Sequence, residues 1–391
     1  MKELKIENID QELQKKAKLY IDEHIDELEK LIMELCSIPA PSNHEELRAD
    51  FCRKWFVQAG AKEVHIDDAL NVVCKVNCDN SKPRILFMAH MDTVFPDTEP
   101  MPSHKEGDRL FCPGVGDNTA NLAVLMLCAR FVINNITNGP GMIFAANSGE
   151  EGLGNLKGSR KLMQDYGSCI ENVISFDGTY GSICNKAVGS KRYMIEVRTE
   201  GGHSFGKFGN RNAIHYLASM ISTLYDVKVP QDGDSRTTYN VGIINGGTSV
   251  NTIAEQAYML YEFRSDSRIC LEKMEKLLQS VIEAYRNMGI IVNLEVIGQR
   301  PCMGDIDADH FSRLQSRVAA ATEKATGKAA TFRSSSTDCN IPLSIGIPAV
   351  STGTYSGDFS HTRNEFIYIS SLPCGFQLAM NVITSYLQET V

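Results

Sequence analysis

The sequence predicts an α/β protein: a mainly parallel mixed sheet flanked by helices and interrupted by an inserted two-layer α+β unit. Three observations carry this. Short, wholly apolar runs alternate with helical patterns, as buried parallel strands do. Near Val188 these runs give way to alternating strands, the mark of a half-exposed sheet. Polar residues that can bind or catalyse stand just past the apolar runs, and α/β sheets gather their sites at strand carboxyl ends. With 391 residues and roughly 150 per domain, more than one domain is expected.

The elements follow in order. Leu13, Ala17, Tyr20, Ile21, Ile25 and Leu28 recur at helical spacing. Pro39-Ala-Pro41 separates that helix from a second one over 44–59, with an N-cap candidate in Ser42-Asn43 and acids in its first turn. Residues 72–76 and 84–90 read as buried strands, 121–132 as a helix, and 141–147 and 172–177 as further strands. From 188 the strands 192–198, 237–244, 254–264 and 290–297 alternate, with helical patterns over 210–224 and 269–288 between them. The first fold resumes with a helix from Asp307 to Thr326, a strand at 348–352 and a helix over 371–388. The expected division is 1–187 and 299–391 for the sheet domain and 188–298 for the insert.

Composition excludes some functions. Lys and Arg number 39 against 48 Asp and Glu, a formal charge of −9. An acidic chain offers no basic face for phosphates, so nucleic acid is not an expected partner. No apolar run is long enough to span a bilayer, so no membrane association is expected. Residues 1–30 are charged and amphipathic, unlike a secretion leader. The 12 cysteines are scattered with no Cys-x-x-Cys pair, and several lie within apolar runs. A reducing compartment, the cytoplasm, is the expected location.

The chemistry lies past the strands. His90 and Asp92 follow the second run, and Asp117 with Asn118 precedes a helix. Glu150 and Glu151 follow the third run, Asp177 the fourth, and His361 a Gly-rich loop near the end. Alone, each has an ordinary structural reading: a satisfied strand-end histidine, an Asx turn, or acids at a helix start. Together, imidazoles and carboxylates form a ligand set for zinc, cobalt or manganese. Two histidines and three carboxylates exceed one tetrahedral ion and suit two ions sharing a carboxylate. Asp92, two residues along from His90, would share its face and hold its imidazole. Of the adjacent glutamates, one could ligate while the other moves a proton.

The ordered strings Ala89-His-Met-Asp-Thr-Val94, Gly114-Val-Gly-Asp117, Ser148-Gly-Glu-Glu151, Asp177 and Ser360-His361-Thr362 resemble the di-metal peptidase family. That family includes peptidase T, glutamate carboxypeptidase, aminoacylase and acetylornithine deacetylase, and the resemblance runs over nearly the whole chain. It implies that His90 and Asp177 bind one ion, Glu151 and His361 the other, and Asp117 bridges. Glu150 is then general base and acid, and Asp92 supports His90. The insert would be a lid that also dimerises. His203, in Gly201-Gly-His203-Ser204, would reach the partner subunit's site and stabilise the oxyanion. Asn251 and Arg264 would hold the substrate, and Asn340 and Gly353 would line its pocket.

The resemblance thus implies amide hydrolysis with two divalent ions, zinc first and cobalt or manganese also suited. The expected substrate is a short peptide, cut as a di- or tripeptide aminopeptidase would cut it, because Asp177 stands where deacylases and carboxypeptidases tend to carry Glu. An N-acyl amino-acid deacylase or carboxypeptidase with the same metals remains the alternative, and a non-catalytic binding paralogue a distant one. No cysteine stands where a nucleophile would need to be. One departure stands out: many family members carry Asp-Asp at the bridging motif, and this chain has Asp117-Asn118.

Overall fold

The structure, a computed structural model, describes residues 2–78 and 84–387. The chain opens with α1 (Lys2–Cys36), α2 (Glu46–Gln58), β1 (Glu63–Ile66), β2 (Val72–Val76), β3 (Arg84–His90), α3 (Asn121–Asn135), β4 (Gly141–Asn147), α4 (Lys157–Tyr166), β5 (Ile170–Phe176) and β6 (Ser182–Ala187). The insert holds β7 (Gly189–Arg198), α5 (Ala213–Tyr225), β8 (Thr237–Gly246), β9 (Gln256–Ser265), α6 (Arg268–Asn287) and β10 (Ile291–Arg300). The chain then continues with α7 (Ala308–Thr326), β11 (Thr331–Ser335), β12 (Ala349–Thr352) and α8 (Leu372–Ser385).

Two compact units result: residues 1–186 with 305–391, and residues 187–304. The second junction falls beyond residue 298 because β10 stays hydrogen-bonded through Arg300, which pairs with Ser190.

In the first unit an eight-stranded sheet has the order β1-β2-β4-β3-β5-β12-β6-β11. Its centre is parallel: β3 pairs with β4 and β5, and β5 with β12. The flanking pairs β1–β2, β2–β4 and β12–β6 are antiparallel. The apolar runs predicted as strands are buried along their whole lengths in β3 and β4. Phe87, Phe144 and Phe176 stack across one face, with ring centroids 5.4 and 6.4 Å apart. Burying each such side chain stabilises the fold by about 1.5–3 kcal/mol. Because β3, β4 and β5 run the same way, the residues after each emerge at one edge of the sheet.

Helix α2 starts at Glu46, and no side chain caps it. The expected cap does other work: Ser42 Oγ donates to Asp92 Oδ2 at 2.6 Å, and Glu45 turns inward with no exposed surface. A small antiparallel sheet of residues 104–106, 109–111, 357–358 and 366–368 is not foreshadowed in the sequence, since its strands are too short to show periodicity. The expected end of the last helix, Gln388, lies outside the described residues.

The insert is a four-stranded antiparallel sheet, order β8-β9-β7-β10. Tyr193, Ile195, Val197, Met259, Tyr261 and Phe263 face α5 and α6, meeting Leu217, Met220, Leu278 and Ile282. Asn212 and Ser267 cap the two helices by accepting backbone N–H groups. Among the described residues no helix is long and apolar enough to cross a membrane.

Candidate metal centre

Four residues that are not candidate ligands hold the loops of this centre. Arg48, 2% exposed, donates to the Met91 carbonyl at 2.7 Å and to Leu35 and Ile38 carbonyls at 2.8 and 2.5 Å. This fixes the turn between His90 and Asp92. Asp92 accepts the N–H groups of Glu150 and Glu151 at 3.0 and 2.9 Å while its Oδ1 lies 3.4 Å from His90 Nδ1. Glu45 accepts the Gly149 N–H at 3.0 Å and the Lys157 ammonium at 2.8 Å. Glu365 accepts three N–H groups of the bridging motif, from Gly114 (2.7 Å), Gly116 (2.9 Å) and Asp117 (2.8 Å).

Within this frame Asp117 faces two histidines. Its Oδ1 lies 3.1 Å from His90 Nε2, and its Oδ2 lies 3.1 Å from His361 Nε2. His361 Nε2 also lies 3.0 Å from Glu151 Oε1. Donor atoms of His90, Asp117 and Asp177 fall within 4.8 Å of one another, as do those of Asp117, Glu151 and His361, with Asp117 common to both. His90, Glu150 and Glu151 satisfy the same limit. His361 has φ of 65°, a left-handed conformation that few non-glycine residues adopt outside constrained sites.

Charge is concentrated here. Burial opposes ionisation of Asp117, but hydrogen bonds from His361 and His90 outweigh it and hold its carboxyl well below the usual range. The hydrogen bond to Asp117, then that to Glu151, pushes His361 up to about 11. Burial and the neighbouring Asp117 push Asp177 up to about 6. The Asp177 carboxylate has no hydrogen-bond or ion-pair partner among the described residues. Such acceptors, converging with imidazole nitrogens, are the donor set of divalent cations. The residues present therefore fit two ions sharing Asp117.

Residues 185–288 match the peptidase dimerisation domain of the M20 family. Over 359 residues the chain is 25% identical to a putative succinyl-diaminopimelate desuccinylase of Mycobacterium tuberculosis, covering 89% of this chain and 96% of that one. The crystal structure of an aminopeptidase of Bacillus cereus superposes with a TM-score of 0.71 at 23% identity, covering 93% of this chain and 98% of that one. A dinuclear metal binding peptidase of the M20 family from Bacillus subtilis superposes with a TM-score of 0.64 at 16% identity, covering 95% and 100%.

Residues 185–288 thus form an M20 peptidase dimerisation domain, and the chain as a whole is similar to metal-dependent hydrolases.

The asparagine at the bridging motif has a physical reason. Asn118 Nδ2 donates to the Phe176 carbonyl at 2.8 Å, while its Oδ1 accepts from Asn121 Nδ2 at 2.6 Å. An ionised aspartate could only accept. Asn118 thereby ties the bridging loop to the residue before Asp177.

Asn340 and Gly353, expected in the substrate pocket, both sit in close-packed surroundings. Asn340 has no exposed surface, and its Oδ1 accepts the Thr337 N–H at 3.0 Å. A Cβ on Gly353 would lie 1.7 Å from the Gly178 carbonyl oxygen, so glycine is there to let two backbones meet. Arg48 and Glu365 are not singled out by the sequence, because nothing local in it marks a charge that will be buried.

In the M20 insert, His203 and Asn251 stand together. His203 pairs with Thr252 across a two-residue ladder, and the Ser204 N–H donates to the Asn251 carbonyl at 3.0 Å. His203 Nδ1 accepts the Phe205 and Gly206 N–H groups at 3.3 and 3.2 Å. Arg264 lies near the other end of β9, roughly 25 Å along the strand at about 3.3 Å per residue. Arg264 donates from Nε and Nη2 to Glu262 at 3.0 and 3.1 Å.

Proposed function

We propose that the protein hydrolyses the amide bond of a short peptide with a free N-terminus, as a di- or tripeptide aminopeptidase. The observation that carries the reading is Asp117, facing a histidine with each carboxylate oxygen. His90, Asp177 and Asp117 would hold one divalent ion, and Asp117, Glu151 and His361 the other. Zinc suits the mixed nitrogen and oxygen donors, and cobalt or manganese would also serve. When bound, the ions supply Lewis-acid polarisation of the scissile carbonyl and acidify water.

The chain's own residues do the rest. Glu150, its N–H anchored on Asp92, takes a proton from the attacking water onto a carboxylate oxygen and later returns it to the leaving amine. Asp92 holds His90 through Nδ1, leaving Nε2 to ligate. In the neutral imidazole of His203, backbone N–H groups pointing at Nδ1 put the proton on Nε2. His203 of the partner subunit would then donate to the developing oxyanion. Asn251 and Arg264 of the insert would hold the substrate. The match of the insert to a peptidase dimerisation domain supports a homodimer built through it.

Asp177 tilts the reading toward aminopeptidase chemistry. The similarity to a desuccinylase favours a second reading, an N-acyl amino-acid deacylase with the same centre. The cytoplasm fits the twelve free cysteines, an assignment that fractionation of the source cells would check.

The test is hydrolysis by protein reconstituted with zinc, cobalt or manganese, with a chelator control. Free di- and tripeptides, N-acetylated amino acids and carboxy-amidated peptides form the panel. Cleavage of free-amine peptides that N-acetylation blocks supports the proposal. Release of acetate with peptides untouched moves the protein to the deacylase reading.

A further inference from the structure

We propose that Arg333 anchors the substrate's free carboxylate, which restricts the enzyme to peptides ending one or two residues beyond the scissile bond. This rests on the peptide-hydrolase reading and names a residue outside the family motifs quoted above.

Arg333 lies in β11, the edge strand of the first unit's sheet, and is exposed. Its Nε donates to Ser182 Oγ at 3.2 Å, which fixes the guanidinium's plane. Nη1 and Nη2 make no hydrogen bond or ion pair among the described residues. The guanidinium leans over the loop that follows β5: a Cβ built on Gly178 would lie 3.3 Å from Arg333 Nη2. Gly178 is next in sequence to Asp177, and only its missing side chain leaves this space open. The positive charge of Arg333 acts on Asp177, favouring its ionised form.

Two oriented, uncommitted N–H-bearing nitrogens next to a candidate ligand form the fork that a carboxylate matches in bidentate fashion. A residue spans at most about 3.6 Å of extended chain. A carboxylate one or two residues beyond a carbonyl held at the His90–Asp177 end is therefore within the guanidinium's reach. Arg264, the residue that family resemblance implies for substrate holding, differs: two of its nitrogens already donate to Glu262. A longer peptide would place a neutral amide where Arg333 expects charge.

The test separates this assignment from the peptidase reading by measuring binding without turnover. Calorimetry would compare L-leucine with L-leucinamide on zinc-loaded wild type, R333A and R333K. Wild type should bind leucine at least about tenfold more tightly than the amide. R333A should lose that preference with metal content and melting temperature unchanged, and R333K should keep part of it. Equal or undetectable binding of both probes to wild type overturns the proposal, as does a preference that survives in R333A. A wild type that discriminates the probes but cleaves no peptide leaves Arg333 as the carboxylate anchor and refutes the peptidase reading instead.

Discussion

Glu365 accepts the backbone N–H of Asp117 at 2.8 Å across 248 residues of sequence. Together with the N–H groups of Gly114 and Gly116, this bond aims the shared carboxylate at both histidines. E365A would leave three buried donors without their acceptor, at about 1–3 kcal/mol each. We expect a lower melting temperature and weaker metal retention against a competing chelator. E365Q keeps one acceptor oxygen and should lie between E365A and wild type.

Glu150 has its N–H held by Asp92, beside the carboxylates that face the histidines. E150Q should lower kcat by roughly a thousandfold or more, since proton transfer and its electrostatic support go together. Metal content by elemental analysis should stay at the wild-type level. Turnover that survives in E150Q would remove Glu150 from the chemistry.

Subunit exchange tests His203. H203A and E150Q homodimers should both be nearly inactive. A mixed dimer pairs an intact Glu150 on one chain with His203 of the partner subunit, so co-expression should restore activity at one site per dimer. If the mixture stays as inactive as its parents, His203 does not act across the interface.

Asn118→Asp probes the departure at the bridging motif. The variant loses the N–H donor to the Phe176 carbonyl and adds a negative charge beside Asp117. Destabilisation by about 1–3 kcal/mol is expected in a denaturant melt, with looser metal binding. A melt unchanged from wild type would show that the amide donor contributes nothing.

Away from the centre, Arg130 grips Glu27 through Nη1 and Nη2 at 2.7 and 2.6 Å. That hydrogen bond, against a smaller opposing effect of burial, lowers the Glu27 carboxyl below its ordinary value. A depressed acid adds stability above its unfolded pKa and loses it as pH falls through the folded one. Glu27 is part-exposed, so the pair should contribute no more than about 1 kcal/mol. E27Q should lower the melting temperature slightly at neutral pH and converge with wild type in acid.

Much of the site is legible in the sequence, because its residues sit where strand chemistry puts them. His90, Glu150, Glu151 and Asp177 each follow an apolar run, and such runs can be read from side-chain type alone. The strands' common direction follows from the helices between them, so the run ends share one edge of the sheet. The insert is legible for a similar reason: alternation records which face of each strand is buried.

What the sequence by itself determined was therefore local: apolar runs, alternation, and the order in which candidate ligands appear. Only the tertiary structure decided which charges would be buried, and against what. Glu45 looked like a first-turn acid and became a buried acceptor for the Gly149 N–H. Asn340 and Gly353, expected to line the pocket, took up buried positions, Gly353 against the distant backbone of Gly178. Only the fold places Arg333 beside Gly178, far from it in sequence. The physical reason is that a hydrogen bond across a hundred or more residues depends on where both partners end up, and neither one's neighbours in sequence carry that information.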